Sequence, residues 1–111
     1  MWCDAKRSAV EGKGTNMPGP QPLTPEEVQN NLTQLPGWAQ SGDAITRTYS
    51  FNAYLAGVGF VNRVASAAEA ADHHPDIALG YKQVIVTLTT YSAKGITQKD
   101  FNLAAEIDGL V

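Results

Sequence analysis

Glu69-Ala70-Ala71-Asp72-His73-His74-Pro75-Asp76 is the stretch at which a long helical pattern stops and a strand pattern begins. Pro75 cannot continue a helix, and it disfavours helical backbone angles at His74. Upstream, residues 52–72 carry an apolar stripe at helical spacing. The stripe consists of Leu55, Val58, Val61, Val64 or Ala65, Ala68 and Ala71. The stretch therefore predicts a helix that ends at about residues 72–74.

Strand patterns lie on both sides of this helix. Residues 77–80 and 84–91 are separated by a turn at residues 81–83, and the second run is almost entirely β-branched, which suits a sheet centre. Upstream, residues 38–40 and 44–51 flank the turn Ser41-Gly42-Asp43, and the second run alternates in hydrophobicity. The sequence therefore predicts two β-hairpins, one before and one after the long helix.

Two capping signatures predict a shorter helix at each end of the chain. Thr24-Pro25-Glu26-Glu27 forms a capping box with Pro at the first helical position, and this helix should reach about Gln34. Thr97 is the predicted N-cap of the last helix, with Asp100 as its structural partner at the third helical position.

The predicted order is helix, hairpin, helix, hairpin, helix, which indicates an α+β fold. We expect a four-stranded antiparallel sheet with three helices packed on one face. The other face should be open or covered by another subunit, so we expect a homodimer or homotetramer. Residues 1–22, rich in Gly and Pro, should form a mobile tail, and residues 23–111 a single domain.

Composition excludes several classes of function. The net charge of −3 provides no basic surface for direct nucleic-acid binding. No apolar run approaches the ~20 residues of a membrane span, and the N-terminus lacks the apolar core of a signal peptide. The single cysteine, Cys3, cannot form an internal disulfide, so a cytoplasmic protein is expected. The chain has no Gly-rich phosphate loop and no clustered set of His and Cys residues with metal-ligand spacing.

Both histidines of the chain lie side by side at the exit of the long helix. Histidine titrates at about pH 6.5, so two of them suit acid–base chemistry on a small ligand. Glu69 precedes His73 by four residues and should share its helix face, so it is predicted to orient that imidazole. The dipeptide by itself favours the alternative, a solvated His-His pair in a loop, so the rest of the chain has to decide between the two.

An ordered set of spaced residues resembles the signature of the pterin-4a-carbinolamine dehydratases. The set is Glu69-x3-His73-His74-Pro75-x5-Tyr81-x9-Tyr91-x8-Asp100. Flanking segments look like the same family: Thr24-Pro25-Glu26-Glu27, Leu35-Pro36-Gly37-Trp38, Phe60-Val61-Asn62-Arg63-Val64 and Leu103-Ala104-Ala105-Glu106-Ile107. The resemblance covers residues 23–111 and implies a four-stranded antiparallel sheet with helices on one side.

The resemblance also implies an activity, namely dehydration of a 4a-hydroxytetrahydropterin to the quinonoid dihydropterin without metal or cofactor. This reaction belongs to recycling of the pterin cofactor of aromatic amino-acid hydroxylases, which are therefore possible pathway partners. His73 and His74 would be the acid–base pair, in unspecified order, with Glu69 as the orienter of His73. Asp72 would contribute polar contacts, and the facing wall of the site would consist of Thr89, Thr90, Tyr91 and Ser92. Pro75, Tyr81 and Asp100 would have structural roles.

One position departs from the family pattern. Tyr91 stands where the family usually has a third active-site histidine, and a tyrosine pKa near 10 makes a poor base at neutral pH. If that histidine only orients the substrate, a tyrosine can substitute for it, because its hydroxyl can donate or accept a hydrogen bond. If it transfers a proton, its loss would lower the rate by about 10²–10⁴-fold. The alternative is a weakly active or non-catalytic paralogue that binds pterin or a protein. Some members of this family serve as dimerisation partners of a homeodomain transcription factor.

Overall fold

The structure is a computed structural model that describes residues 21–111, and its elements follow the predicted order. The helices are α1 (Pro25–Leu32), α2 (Tyr54–Ala71) and α3 (Gln98–Asp108); the strands are β1 (Ala39–Ser41), β2 (Ala44–Ser50), β3 (Asp76–Gly80) and β4 (Gln83–Leu88). The expected tail lies outside the described residues except for Gln21 and Pro22, as does Cys3. None of the helices in the described part is both long and apolar enough to cross a membrane.

The four strands form one antiparallel sheet in the order β1-β2-β4-β3, with β4 next to the other hairpin as its residues predict. The prediction that β4 continues to Tyr91 was wrong. The last residue pairs on its two sides are Ile45 with Leu88 and Asp76 with Thr87. The chain leaves the sheet after Leu88 and forms a 3-10 turn over Tyr91–Ala93.

The helices cover one face of the sheet, as predicted, and the core lies between them. Ile45, Tyr49 and Val84 project from the sheet into this layer, and each is almost completely buried. Full burial of such a side chain contributes about 1.5–3 kcal/mol to stability. The apolar residues that meet them from α2 and α3 are Phe60, Val64, Ala68, Phe101, Ala104 and Ile107.

Both capping boxes are present. In α1 the Glu27 backbone N–H donates to Thr24 Oγ1 at 3.2 Å, and the Thr24 N–H donates to Glu27 Oε1 at 2.9 Å. In α3 the Thr97 N–H donates to Asp100 Oδ2 at 2.9 Å. These bonds satisfy backbone donors that the first helical turn leaves unpaired.

The buried face of α2 differs from the predicted stripe in its first half. Leu55 was expected to face inward, but it is 75% exposed, because the helix approaches the sheet through Gly57 instead. A Cβ at this glycine would lie only 3.3 Å from Cγ2 of Val84, so the absent side chain permits the close approach. The residues of α2 that are buried are Gly57, Phe60, Val64, Ala67 and Ala68.

The exit of α2 lies where the sequence predicts it. Asp72 adopts the left-handed conformation, with φ 55° and ψ 40°, and its N–H faces the carbonyl groups of Ala68 and Glu69. This geometry ends the helix one residue before His73, and Pro75 then leads directly into β3. As a result the two histidines lie in a short non-helical link and have different environments.

Candidate active site

His73 is a buried residue whose partner is a buried carboxylate. Its Nε2 lies 2.6 Å from Oδ1 of Asp100; His73 is 3% exposed and Asp100 is fully buried. Asp100 has the predicted helix-capping role, but its contact with His73 was not predicted. A buried carboxylate is costly unless donors surround it, and His73 is one of those donors.

The other donors to Asp100 connect three segments of the fold. Asp100 Oδ2 accepts hydrogen bonds from the Thr90 hydroxyl and the Thr97 N–H, each at 2.9 Å, and the two threonine hydroxyls are 2.7 Å apart. The cluster therefore holds the end of α2, the end of β4 and the start of α3 around one carboxylate.

His74 forms a second imidazole–carboxylate pair, at the surface. Its Nε2 lies 2.6 Å from Oε1 of Glu69, and the histidine side chain is 35% exposed. The prediction that Glu69 orients His73 was therefore wrong. The helix ends at Ala71 and Asp72 is left-handed, so the i, i+4 relationship no longer applies at His73. His73 contacts Asp100 instead, and Glu69 contacts His74.

Tyr91 lies beside the histidine segment. Its hydroxyl donates to Oδ2 of Asp76 at 3.3 Å, and Asp76 follows Pro75 directly. The negative charge of Asp76 is the main cause that raises the pKa of Tyr91 above its ordinary value of 10.0. The phenol consequently stays protonated across the neutral range and can donate a hydrogen bond.

The remaining predicted wall residues have different surroundings. The Thr89 hydroxyl donates to the carbonyl oxygen of Asp43 at 2.5 Å, which links the end of β4 to the β1–β2 turn. Ser92 Oγ is buried and has no hydrogen-bond partner among the described residues. Tyr81 is 75% exposed and stacks on Tyr54 at the far end of β3 from Pro75, with ring centroids 6.4 Å apart. The structure thus keeps Tyr81 away from the histidines.

Two cavities border these residues. One of about 170 Å³ is lined by Ala71, His73, Lys99, Asn102, Leu103 and Glu106. The other, of about 240 Å³, is lined by Asp43, Ala44, Thr89, Tyr91 and Lys94. Within residues 21–111 there is no group of three or more His, Cys, Asp or Glu side chains that could hold a metal ion.

Sequence reasoning missed the partners of the site residues. Asp100 was visible through its spacing from His73 and His74, but its contact with His73 spans 27 residues and depends on how α3 docks. No sequence pattern indicated that Asp76 belongs to the site, because its contact with Tyr91 exists only after β3 and β4 have paired.

The chain is similar to a well-defined set of proteins. A family model described as Pterin 4 alpha carbinolamine dehydratase matches residues 21–110. A protein of Picosynechococcus sp. with the provisional name pterin-4-alpha-carbinolamine dehydratase is 47% identical over 88 residues, which cover 79% of this chain and 96% of that protein. A protein of Natronomonas pharaonis with the same provisional name is 48% identical and covers 79% of this chain and 94% of its own length.

Solved structures agree with these sequence matches. A transcriptional coactivator/pterin dehydratase from Brucella melitensis superposes with a TM-score of 0.78 at 35% identity, covering 81% of this chain and 98% of its own. A pterin dehydratase-like protein described as a RuBisCO assembly factor in the alpha-carboxysome gives a TM-score of 0.55 at 22% identity, covering 66% of this chain and 84% of its own. The second match shows the shared fold alone.

Proposed function

The chain belongs to the pterin-4a-carbinolamine dehydratase family, and we propose that it dehydrates a 4a-hydroxytetrahydropterin to the quinonoid dihydropterin. The observation that carries the proposal is the pair of adjacent imidazole–carboxylate contacts, His73 with Asp100 and His74 with Glu69, each at 2.6 Å. Two imidazoles with fixed orientation supply the two proton movements that the reaction requires.

The reaction is an elimination with no change in oxidation state. The N5 proton leaves to a base, the C4a–O bond breaks, and the departing hydroxyl accepts a proton and leaves as water. The N5 electron pair that is released forms the N5–C4a double bond. Because the substrate is a carbinolamine, nitrogen assists departure of the hydroxyl, and the protein has only to move protons and hold the ring.

We assign the base to His73 and the acid to His74. Asp100 is buried beside His73, and its negative charge would stabilise the imidazolium that forms when this ring accepts the N5 proton. His74 is partly exposed beside Glu69, which suits a group that protonates the leaving hydroxyl and recovers its proton from solvent. Tyr91 would then donate a hydrogen bond to the substrate rather than act as a base.

The substrate surface extends from the histidines to Tyr91. Contact between Tyr91 and Asp76 supports this location, since Asp76 lies two residues after His74. Thr90 and Ser92 flank Tyr91, and the buried Ser92 hydroxyl has hydrogen-bonding capacity that a bound ring edge could use. Asp72 would contribute polar contacts at the rim.

The test follows loss of the 4a-hydroxy intermediate by absorbance. Wild type should accelerate dehydration over buffer, and His74→Ala and His73→Gln should each lose about 10²–10⁴-fold, the usual contribution of a general acid or base. Glutamine at position 73 keeps an amide donor for Asp100 and so protects the fold. Glu26→Gln, at an exposed position in the first turn of α1, is the control and should retain full activity.

A second candidate function is a non-catalytic or weakly active pterin-binding or protein-interaction role. The specific observation in its favour is Tyr91 in place of the usual third histidine. Wild type no faster than buffer, together with restored turnover in Tyr91→His, would favour this candidate. Normal turnover in wild type and little change in Tyr91→His would reject it.

We also infer that the chain forms a homodimer or homotetramer in the cytoplasm. The face of the sheet opposite the helices has no covering layer among residues 21–111, and β1 and β3 are edge strands. A single-chain mass by light scattering would contradict this inference. The connection with an aromatic amino-acid hydroxylase remains a prediction from the family.

A further inference from the structure

Thr90 is a fully buried residue whose side chain lines neither of the two cavities described above. Its hydroxyl donates to Oδ2 of Asp100 at 2.9 Å and lies 2.7 Å from the hydroxyl of Thr97. We propose that Thr90 is a positioning residue of the site, whose hydroxyl limits how strongly Asp100 attracts a proton to His73. The inference rests on the proposed function and adds to it a group that controls the protonation of the candidate base.

This role differs from the one that the family resemblance suggested for Thr90. The residue was expected to belong to the facing wall of the site beside Tyr91, but its side chain has no exposed surface. Both contacts of its hydroxyl are with the start of α3, at Thr97 and Asp100. Any effect of this hydroxyl on the reaction therefore passes through Asp100.

The direction of these hydrogen bonds follows from the number of protons available. A threonine hydroxyl has one proton to donate, and its oxygen can also accept. Because the Thr90 proton is used on Asp100, the contact between the two hydroxyls uses the proton of Thr97. The donors therefore form a chain from Thr97 through Thr90 to Asp100, in which each bond strengthens the next.

The two carboxylate oxygens of Asp100 have separate partners. Oδ1 lies 2.6 Å from Nε2 of His73, whereas Oδ2 accepts from the Thr90 hydroxyl and from the Thr97 N–H, each at 2.9 Å. All four residues are at most 5% exposed, so water screens these contacts little. The donors on Oδ2 consequently share the negative charge that would otherwise act on the imidazole alone.

The chemistry of a general base explains why such a group is needed. A base has to be neutral before the reaction, and it must still bind the proton that it removes. A carboxylate beside an imidazole favours the protonated form of the ring. Beside Asp100 with no other donor, His73 would hold its proton to higher pH, and less of the ring would be free to act as a base. By donating to Asp100, Thr90 weakens that attraction.

The backbone holds Thr90 in place independently of its hydroxyl. The Thr90 N–H donates to the carbonyl of Gly95 at 3.0 Å, and the Gly95 N–H donates to the carbonyl of Thr90 at 3.3 Å. These bonds form an isolated β-bridge that closes the loop containing Tyr91. A substitution that removes only the hydroxyl should therefore leave the path of the chain unchanged.

Other charged or titratable groups surround the histidine link and the cavity beside His73. Besides Asp100, they are Glu69, Asp72, His74 and Asp76 from α2, the link and β3, and Lys99 and Glu106 from α3. Among residues 21–111, the Thr90 hydroxyl contacts Thr97 and Asp100 and none of these groups. Removal of the hydroxyl therefore acts on His73 through Asp100 and leaves the other charges in place.

The test changes the Thr90 hydroxyl and follows the protonation of each histidine by NMR. The chain has two histidines, so two imidazole C2–H signals titrate, and the signal that remains in His74→Ala belongs to His73. Thr90→Val keeps the branched shape and removes the donor, whereas Thr90→Ser keeps the donor. Thr33→Val makes the same change at the exposed C-cap residue of α1 and is the control.

In Thr90→Val the midpoint of the His73 titration should rise by about 0.5–1 pH unit, because Asp100 has lost a competing donor. The midpoint of His74 should not move. The acidic limb of the kcat/KM profile should move to higher pH by the same amount, and Thr90→Ser should restore the wild-type position of both. An unchanged His73 midpoint in Thr90→Val overturns the inference, as does an equal rise in Thr90→Ser or Thr33→Val.

Thr90→Cys keeps the test decisive if Thr90→Val does not fold. A thiol is a weak donor, so the His73 midpoint in Thr90→Cys should lie above that in Thr90→Ser, and equal midpoints overturn the inference. A failure of the proposed function gives a different result, because wild type would then show no turnover while both histidines still titrate. A rise of the His73 midpoint in that protein supports the inference, and its absence overturns it.

Discussion

His73 and Asp100 form a buried pair in which Nε2 and Oδ1 lie 2.6 Å apart, although 27 residues separate them in the chain. The pair joins the exit of α2 to the first turn of α3. It gives Asp100 two roles, since the same carboxylate caps α3 and holds an imidazole of the candidate site. Fold stability and site geometry are therefore coupled at this residue.

Asp100→Asn should reduce both stability and activity. An asparagine can still accept from Thr97, but it loses the charge that pairs with His73, so we expect the free energy of unfolding to fall by about 1–3 kcal/mol. Urea unfolding measures this change. Glu106→Gln, an exposed acid-to-amide change in the same helix, is the control and should stay within about 0.5 kcal/mol of wild type.

A double-mutant cycle tests which histidine Glu69 supports. Because Glu69 contacts His74, the effects of Glu69→Gln and His74→Ala on kcat/KM should be non-additive, with Glu69→Gln nearly silent once His74 is absent. With His73→Gln the effect of Glu69→Gln should persist in full. Additivity with His74→Ala would show that the surface pair does not act as a unit.

Tyr49 should make the fold sensitive to alkaline pH. Burial, followed by its 2.5 Å hydrogen bond to Asp108, raises the pKa of Tyr49 above the ordinary value of 10.0. The unfolded chain therefore releases this proton first, so the stabilisation is complete below about pH 10 and is lost as pH rises towards the folded pKa.

Urea unfolding at pH 8 and at about pH 10.5 measures this loss, which is at most about 1.4 kcal/mol per pH unit for one proton. Tyr49→Phe should be less stable than wild type at pH 8, and the difference should shrink at the higher pH. Tyr81→Phe, at an exposed tyrosine, is the control and should leave the pH dependence unchanged. A constant difference between wild type and Tyr49→Phe would contradict the prediction.

The left-handed conformation of Asp72 ends α2 and sets the direction of the chain that carries both histidines. Its effect on the free energy of unfolding should be measurable in two variants. Asp72→Ala should lower the free energy of unfolding by about 1 kcal/mol, because a Cβ without a local hydrogen-bonding group is disfavoured there. Asp72→Gly should recover that loss, since glycine adopts φ 55° freely. Thermal unfolding of the two variants measures the difference. An Asp72→Ala variant at least as stable as Asp72→Gly would contradict the prediction.

The sequence by itself determined where the helices begin and end and which segments form strands. Pro75 stops α2, and Thr24 and Thr97 cap the outer helices. Alternation along β2 and the β-branched run of β4 indicate the two central strands. Each signal acts within a few residues, so its outcome does not depend on the rest of the fold. The spaced set from Glu69 to Asp100 likewise sufficed to indicate the family.

Only the tertiary structure decided which side chains become partners. His73 pairs with Asp100, and Glu69 pairs with His74, because the left-handed Asp72 ends α2 before either histidine and directs His73 into the interior. Leu55 stays exposed because close packing at Gly57 fixes the rotation of α2. Periodicity shows that one face of an element is apolar. The contacts of that face depend on how neighbouring elements dock, and those elements are far away in the sequence, so a local pattern does not predict them.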